Sequence, residues 1–413
     1  MFTRKLTSAL IATALSVGAA YAADYESANK FNPIQTGVNS LDIAPDARGA
    51  SMGDLGAATE PDCNSQFWNP SKYAFAYSSA GVSLSYTPWL RKLVNDIFLA
   101  NVAGYWKVGR NDNQALSASL RYFSLGEVTT GGSDYGGNGG PVQTPNPYEM
   151  SIDLGYSRKL SEKFSMGVAF RYIYSALGFT ESTSGDQNPG ASAFSADIAG
   201  YYTTYPMIGR SECQWSWGWD LSNIGSKVNY DGGANPAFLP AQLRIGTSFT
   251  FPLADYHLLS LNLDLSKILV PTMPRENDYD IYNYNDEIAT EARFKYEEDL
   301  QNWKDMSSIT GIFKSFSDAP GGFKEELQEI RWSLGAEYSY NDQFFLRAGY
   351  FYEHPYKGNR QYLGVGAGFA LKVARLDASY MVATAASSPL DQTLRFSLTF
   401  DMDGIKDLFG RRR

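Results

Sequence analysis

Two histidines, His257 and His354, and two cysteines, Cys63 and Cys213, are all the imidazole and thiol in 413 residues. A Ser-His-acid relay needs an imidazole in reach of both a hydroxyl and a carboxylate. His354 has Tyr356 and Lys357 beside it and no nucleophile motif. No Cys/His grouping has metal-ligand spacing. The stretch "TTGGSDYGGNGG" (Thr129–Gly140) is Gly-rich but lacks the Lys-Ser/Thr ending of a phosphate-cradling loop. The reading is a non-enzyme with no cofactor and no metal. Net charge is −9, from 35 basic and 44 acidic residues, so nucleic acid is not an expected partner.

The informative charges are those placed by alternation. In "ALSASLRYF" Leu116, Ala118, Leu120 and Tyr122 share one face, and Ser117, Ser119 and Arg121 the other. "FSMGVAFRY", "WSWGWDL" and "LLSLNLDLS" repeat the pattern, the last setting Leu259, Leu261, Leu263 and Leu265 opposite Ser260, Asn262 and Asp264. A side chain on one face at every second position is the strand period. About fourteen such segments run from residue 80 to 401, with aromatic residues (28 Tyr, 24 Phe, 8 Trp) concentrated on their apolar faces. A soluble barrel is apolar inside; here the ladders of Leu, Tyr and Trp oppose Ser, Gly, Arg and Asp. The apolar face must therefore meet lipid, and Trp215, Trp217 and Trp219 are expected there. Arg121, Arg171, Arg244, Arg347 and Arg395 fall on the lumen face with Asp153, Asp197, Asp220, Asp264, Glu337 and Asp377. A conducting pore would show a ring of one sign; this mixed set predicts charges that brace the wall and whatever fills it. Lys in place of Leu263 is expected to be costly, and in place of Asn262 much milder.

Connections alternate between short polar turns and long loops, the layout of a bacterial outer-membrane barrel. The expected fold is all-β: a 14-stranded antiparallel transmembrane barrel with long extracellular loops and both termini periplasmic. Residues 1–22 read as a signal peptide: Arg4 and Lys5, an apolar run, then Ala20-Tyr21-Ala22. Fourteen strands enclose more space than side chains fill. The Gly/Ala-rich segment 23–72, ending in the aromatic anchor Phe67-Trp68-Asn69-Pro70, reads as a periplasmic hatch that plugs it. The barrel spans 73–401, with a very long outer loop at about 269–329, and 402–413 form a periplasmic tail ending Arg411-Arg412-Arg413. Within that loop Asp286–Met306 and Gly321–Ile330 look helical and polar. Loops beyond about 12–15 residues are usually functional. Cys63 in the hatch and Cys213 at the periplasmic edge of a strand are expected to be bridged. Closing that loop of about 150 residues would contribute on the order of 4–5 kcal/mol in the chain-entropy model.

The stretch "NPIQTGVNSLDIAPDARGASMGDLGAATEPDCNSQFWNPSKYA", above all Ile43–Asp54, resembles the PorV family, outer-membrane barrels of the type IX protein secretion system. That family is similar in turn to the FadL-like fourteen-stranded transporters, whose hatch also carries an Asn-Pro pair, here Asn69-Pro70. The resemblance covers hatch, strand count and loop alternation. It implies a shuttle that takes cargo from the giant translocon barrel of the system by the cargo's C-terminal signal domain. The cargo then passes to a surface attachment complex, including a signal peptidase, which joins it to lipopolysaccharide. The alternative, implied by the wider fold, is a FadL-like transporter of hydrophobic small molecules or lipids. In either case the expected contacts are apolar outer residues: Trp89 and Leu90, Phe238 and Leu239, and Ile312, Phe313 and Phe316 in the less regular part of the long loop.

Overall fold

A computed structural model describes residues 31–89, 96–109, 111–127, 146–176, 190–230, 235–282, 286–385 and 391–410, with 407–410 as backbone. Among them fourteen strands close into one antiparallel barrel, each pairing with its chain neighbours and the last with the first. They are β1 Ala80–Pro88, β2 Ile97–Val108, β3 Gln114–Leu125, β4 Tyr148–Lys159, β5 Phe164–Ala176, β6 Ala191–Thr204 and β7 Gln214–Gly225. The ring continues with β8 Gln242–Ala254, β9 His257–Ile268, β10 Arg331–Tyr340, β11 Phe344–Tyr352, β12 Gln361–Ala370, β13 Ala374–Ala383 and β14 Leu394–Asp401. The segments read from alternation match these within a few residues at each end. The leader, Leu90, Thr129–Gly140 and the Arg411–Arg413 tail lie outside the described residues.

The two faces separate as their chemistry requires. Leu261, Leu263 and Leu265 are exposed on the outer wall, while Asn262 and Asp264 between them are buried. Trp215 and Trp217 are exposed on the same outer face of β7, in register with the outward residues of β8. An aromatic belt crosses β1–β5 at the long-loop rim: Tyr86, Phe98, Tyr122, Tyr148 and Tyr174, with successive ring centroids 5.4–6.0 Å apart. Amphipathic rings at such a rim suit the headgroup level of a bilayer.

The N-terminal segment fills the lumen. Helix α1 (Ala47–Ser51) is capped by Asp46, whose carboxylate accepts from the Gly49 N–H at 2.8 Å, and lies against β11–β14. The 3-10 turn Pro70–Phe75 lies against β2–β6, across the lumen from α1. Close approach is possible because the wall lacks side chains there. Gly335, Gly349 and Gly364 are direct partners across β10, β11 and β12. A Cβ on Gly349 would sit 2.1 Å from the Met52 carbonyl carbon, and one on Gly364 2.4 Å from the Ala50 oxygen. Gly218 and Gly246, paired between β7 and β8, receive Ala57 in the same way.

This packing corrects one expectation. Asn262 is not a tolerant lumen position: it is 3% exposed and its Nδ2 lies 3.7 Å from Met52 Sδ. Lys at either neighbour should therefore be costly, by different routes. Leu263→Lys puts a charge on the lipid face and should cost about 2–4 kcal/mol, seen as loss of heat-modifiable folded barrel on gels. Gly349→Leu should leave the barrel folded but expel α1, exposing residues 40–60 to protease; full protection would refute the glycine-cradle reading.

Candidate functional site

The Phe67-Trp68-Asn69-Pro70 turn is the hub that fixes the hatch. Asn69 Nδ2 donates to Ala57 O at 2.9 Å and to Gly200 O of β6 at 3.0 Å. Its Oδ1 accepts from Ser71 N at 3.1 Å, and Pro70 takes the first position of the turn, where its missing N–H costs nothing. Trp68 Nε1 donates to the cap residue Asp46 at 2.7 Å, and Arg244 lies 5.0 Å over the Trp68 ring. Arg121 covers Phe67 at 4.7 Å.

The lumen charges pair as a brace. Arg171 joins Asp153 at 2.7 Å and Asp197 at 2.9 Å. Arg347 joins Glu337 and, at 2.8 Å, Asp377. Arg48 of the hatch meets Glu337 at 2.9 Å and Asp62 at 3.0 Å. Asp264 accepts from the backbone of Gly56 and Ala57 at 2.8 and 2.9 Å, and Arg121 donates to Ile43 O at 3.1 Å. Two of the cavities between hatch and wall are small, about 10 and 20 Å³, and a third of about 230 Å³ lies between Arg48, Asp62 and Asn64 of the hatch and Arg375, Asp377 and Thr399 of the wall.

Above the hatch, at the long-loop end, the barrel opens into a vestibule of about 620 Å³. Its floor is hatch residues 36–43, and Trp89, Ile97, Phe123, Leu125 and Met381 form apolar walls. Glu149, Asp54, Arg360 and Tyr362 supply polar groups. Val38 in the floor is held at φ 55°, a left-handed conformation costly for a β-branched residue, by burial against Ile173, Val228 and Leu239.

The long loop folds as three helices: α2 Asp286–Asp305, α3 Ser308–Lys314 and α4 Phe323–Gln328. The second corrects the expectation of a less regular stretch at Ile309–Phe316. Ion pairs latch the loop down. Lys267 of β9 takes Glu326 at 3.0 Å and also Glu329, and Lys357 takes Glu329 at 3.0 Å. A second chain of pairs ties the hatch entry to the rim. Asp42 meets Arg331 at 2.7 Å and Arg360 at 3.0 Å, and Arg360 meets Glu353 at 2.8 Å. Burial, with Glu326 and Glu329 nearby, pushes the Asp318 carboxyl up to about 6 despite its bond from Thr272 N. Burial and Lys357 hold His354 below its ordinary value, and its Nδ1 accepts from Tyr356 N at 3.2 Å. It is a loop strut.

The apolar residues expected to meet a partner divide. Trp89 is half-buried at the vestibule mouth, 5.5 Å from the Arg395 guanidinium. Phe238 and Leu239 are both 3% exposed, so they are not available to a partner. Phe238 packs on Val270 and Trp303, beneath the end of α2, and Leu239 on Val38. Ile312 is buried too, against Ala241 and Leu269, while Phe313 (74%) and Phe316 (50%) remain exposed. The residues that sequence reading passed over are Asp42, Arg360, Glu149 and Tyr362, which gather only when the hatch meets strands far along the chain.

Cys63 and Cys213 are both free and buried, which corrects the expected bridge. Cys63 abuts Gly81 of β1. Cys213 lies between β6 and β7, almost half the circumference away, where its N–H donates to Pro206 O at 3.0 Å. The filled lumen separates them.

The profile of the family described as "Type IX secretion system protein PorV" matches residues 26–275. No curated protein sequence matches. Among solved structures the chain is similar to the Pseudomonas putida toluene transporter TodX, at 9% identity and TM-score 0.49, covering 87% of this chain and 97% of that one. It is also similar to the Ralstonia pickettii toluene transporter TbuX, at 15% identity and TM-score 0.45, covering 88% and 98%. A Pseudomonas aeruginosa FadL homologue gives 11% identity and TM-score 0.41, covering 90% and 99%.

Two outcomes test the site's construction. Thiol titration of the folded barrel should find neither cysteine reactive, and both after denaturation; no thiol after denaturation would restore the bridge. Glu326→Gln with Glu329→Gln removes both carboxylates from the buried Lys267, and stranding a buried charge costs about 3–5 kcal/mol. It should free the loop, so that protease cuts within α2 much faster while the barrel stays folded. Unchanged cleavage would mean the latch carries no weight.

Proposed function

Because the chain belongs to the PorV family of the type IX secretion system, we propose that it is a shuttle in the outer membrane. It receives cargo from the giant translocon barrel by the cargo's C-terminal signal domain. It then delivers the cargo to a surface attachment complex that includes a signal peptidase and works at the lipopolysaccharide layer. On this reading residues 1–22 are a cleaved leader, and the short turns and both termini face the periplasm. An even strand number puts the start of β1 and the end of β14 on one rim, which supports that orientation. The observation that carries the reading is the combination of a hatch-filled lumen with a wide vestibule at the long-loop rim. A closed barrel with an elaborated mouth suits holding a protein at the surface. A transporter needs a continuous passage, and the hatch–wall brace stands across its course.

The proposed cargo contacts are Trp89 at the vestibule mouth, with Leu90 following it, and the exposed edge of α2, where Ile288 and Phe294 are 44% and 68% exposed. A central tryptophan in such an interface is worth about 2 kcal/mol or more, roughly thirtyfold in Kd. Trp89→Ala combined with Phe294→Ser should weaken capture of an isolated cargo C-terminal domain by at least that factor, with barrel abundance unchanged. Undiminished capture would remove these residues from the site. Loss of hydrophobic-solute uptake, with cargo processing intact in a deletion strain, would instead establish the transporter.

A further inference from the structure

Helix α3 does not sit over the barrel mouth; it lies against the outside of the wall. Its buried side chain Ile312 clusters with Ala241 and Leu269, and Leu221 of β7 and Leu243 of β8 pack against that cluster. Those two are cross-strand partners, and Leu243 is in turn the partner of Lys267 on β9. One step toward the membrane along the same outward face come Trp219, Ile245 and Leu265, again in one cross-strand row, with Trp332 of β10 beside Leu265. Ile245 and Leu265 are 49% and 45% exposed on the lipid side. The helix therefore rests on the upper margin of the lipid-facing wall.

The aromatic belt shows what is missing at that margin. It runs from Tyr86 on β1 through Tyr174 on β5, reaches Phe194 on β6 through Tyr172, and resumes on β10 and β11 with Trp332, Tyr350 and Tyr352. Between these runs β7 carries Trp219 in the cross-strand row of Trp332, but β8 and β9 offer only Ile245 and Leu265 there and Leu243 and Lys267 one step outward, and Lys267 is spent on Glu326 and Glu329. Over this gap α3 turns Ile309, Phe313 and, just past its end, Phe316 outward. Their spacing of i, i+4 and i+7 puts them on one helical face, and they are 64%, 74% and 50% exposed. Contiguous exposed apolar side chains of this kind mark an interaction or membrane-contact site. The face ceases to be wet if the outer leaflet covers it.

We propose that Ile309, Phe313 and Phe316 form a lipid-docking edge, which dips into the boundary between headgroups and acyl chains and completes the aromatic belt across β8 and β9. The occupant is the lipid surface itself, because the patch is continuous with the lipid-facing wall. Helices in this setting bury their apolar face by about 5–10 Å. The edge fixes the base of the long loop to the membrane plane, so that α2 is held at a set height beside the vestibule. This does not depend on what the vestibule binds.

The test uses the full-length barrel with Cys63→Ala and Cys213→Ala, reconstituted in phospholipid nanodiscs. An environment-sensitive fluorophore is placed at Phe313→Cys, with Ile309→Cys as a second site in case the first disturbs folding, and Phe294→Cys on α2 as the exposed control. The expected result is blue-shifted emission at 313 and 309 relative to 294, quenching by lipids spin-labelled near the headgroup, and protection from aqueous iodide. Water-like emission with iodide quenching equal to that at 294 would overturn the proposal. So would shielding that appears only when a partner protein is retained, which would return the edge to protein recognition.

Discussion

Charges inside the lumen of this barrel have little water to solvate them, and the rest of the structure follows from how they are satisfied. Arg171, Arg347, Arg244 and Arg395 are at most 7% exposed, as are Asp153, Asp197, Asp220, Asp264 and Glu337. Stranding any one of them would cost several kcal/mol. The wall answers part of the need by pairing across strands, as Arg347 does with Glu337 and Asp377. The hatch answers a further part with Arg48 toward Glu337 and with backbone N–H groups toward Asp264. Hatch and barrel are thus one electrostatic unit.

Backbone can reach those charges only where the wall is bare. The glycine row Gly335–Gly349–Gly364 and the pair Gly218–Gly246 supply that clearance, and the small residues of the hatch supply it from the other side. Steric fit and charge pairing therefore select the same placement. Mutual agreement of independent local choices is what gives a chain a single deep minimum.

The long-loop end is organised on a different principle. There the hatch entry, the rim and the loop are joined by acid–base chains from Asp42 through Arg360 to Glu353, and from Lys267 through Glu329 to Lys357. Between them they leave a vestibule open and a loop held down beside it. On the proposed shuttle reading, a braced lumen beneath an open mouth suits a receiving surface. It also explains why Phe238, Leu239 and Ile312, apolar and near the rim, serve to seat the loop.

The sequence by itself determined the barrel. A period of two is a local property of each strand, and polar-in, apolar-out alternation admits only one solvent on the outside, so strand number, lipid face and lumen charges were legible residue by residue. The hatch was legible in outline, through Asn69-Pro70 and its small residues, and the long loop through its length and its helical first segment. Register around the ring, however, decides which distant residues meet. Only the closed ring places Cys63 and Cys213 almost half a circumference apart, packs Met52 against Asn262, or gathers Asp42 with Arg331 and Arg360. Which apolar loop residues stay exposed was likewise a tertiary outcome. Alternation fixes the face of a strand, but a helix lying on that strand takes its orientation from the row it covers, here Leu221 and Leu243 under the cluster of Ile312.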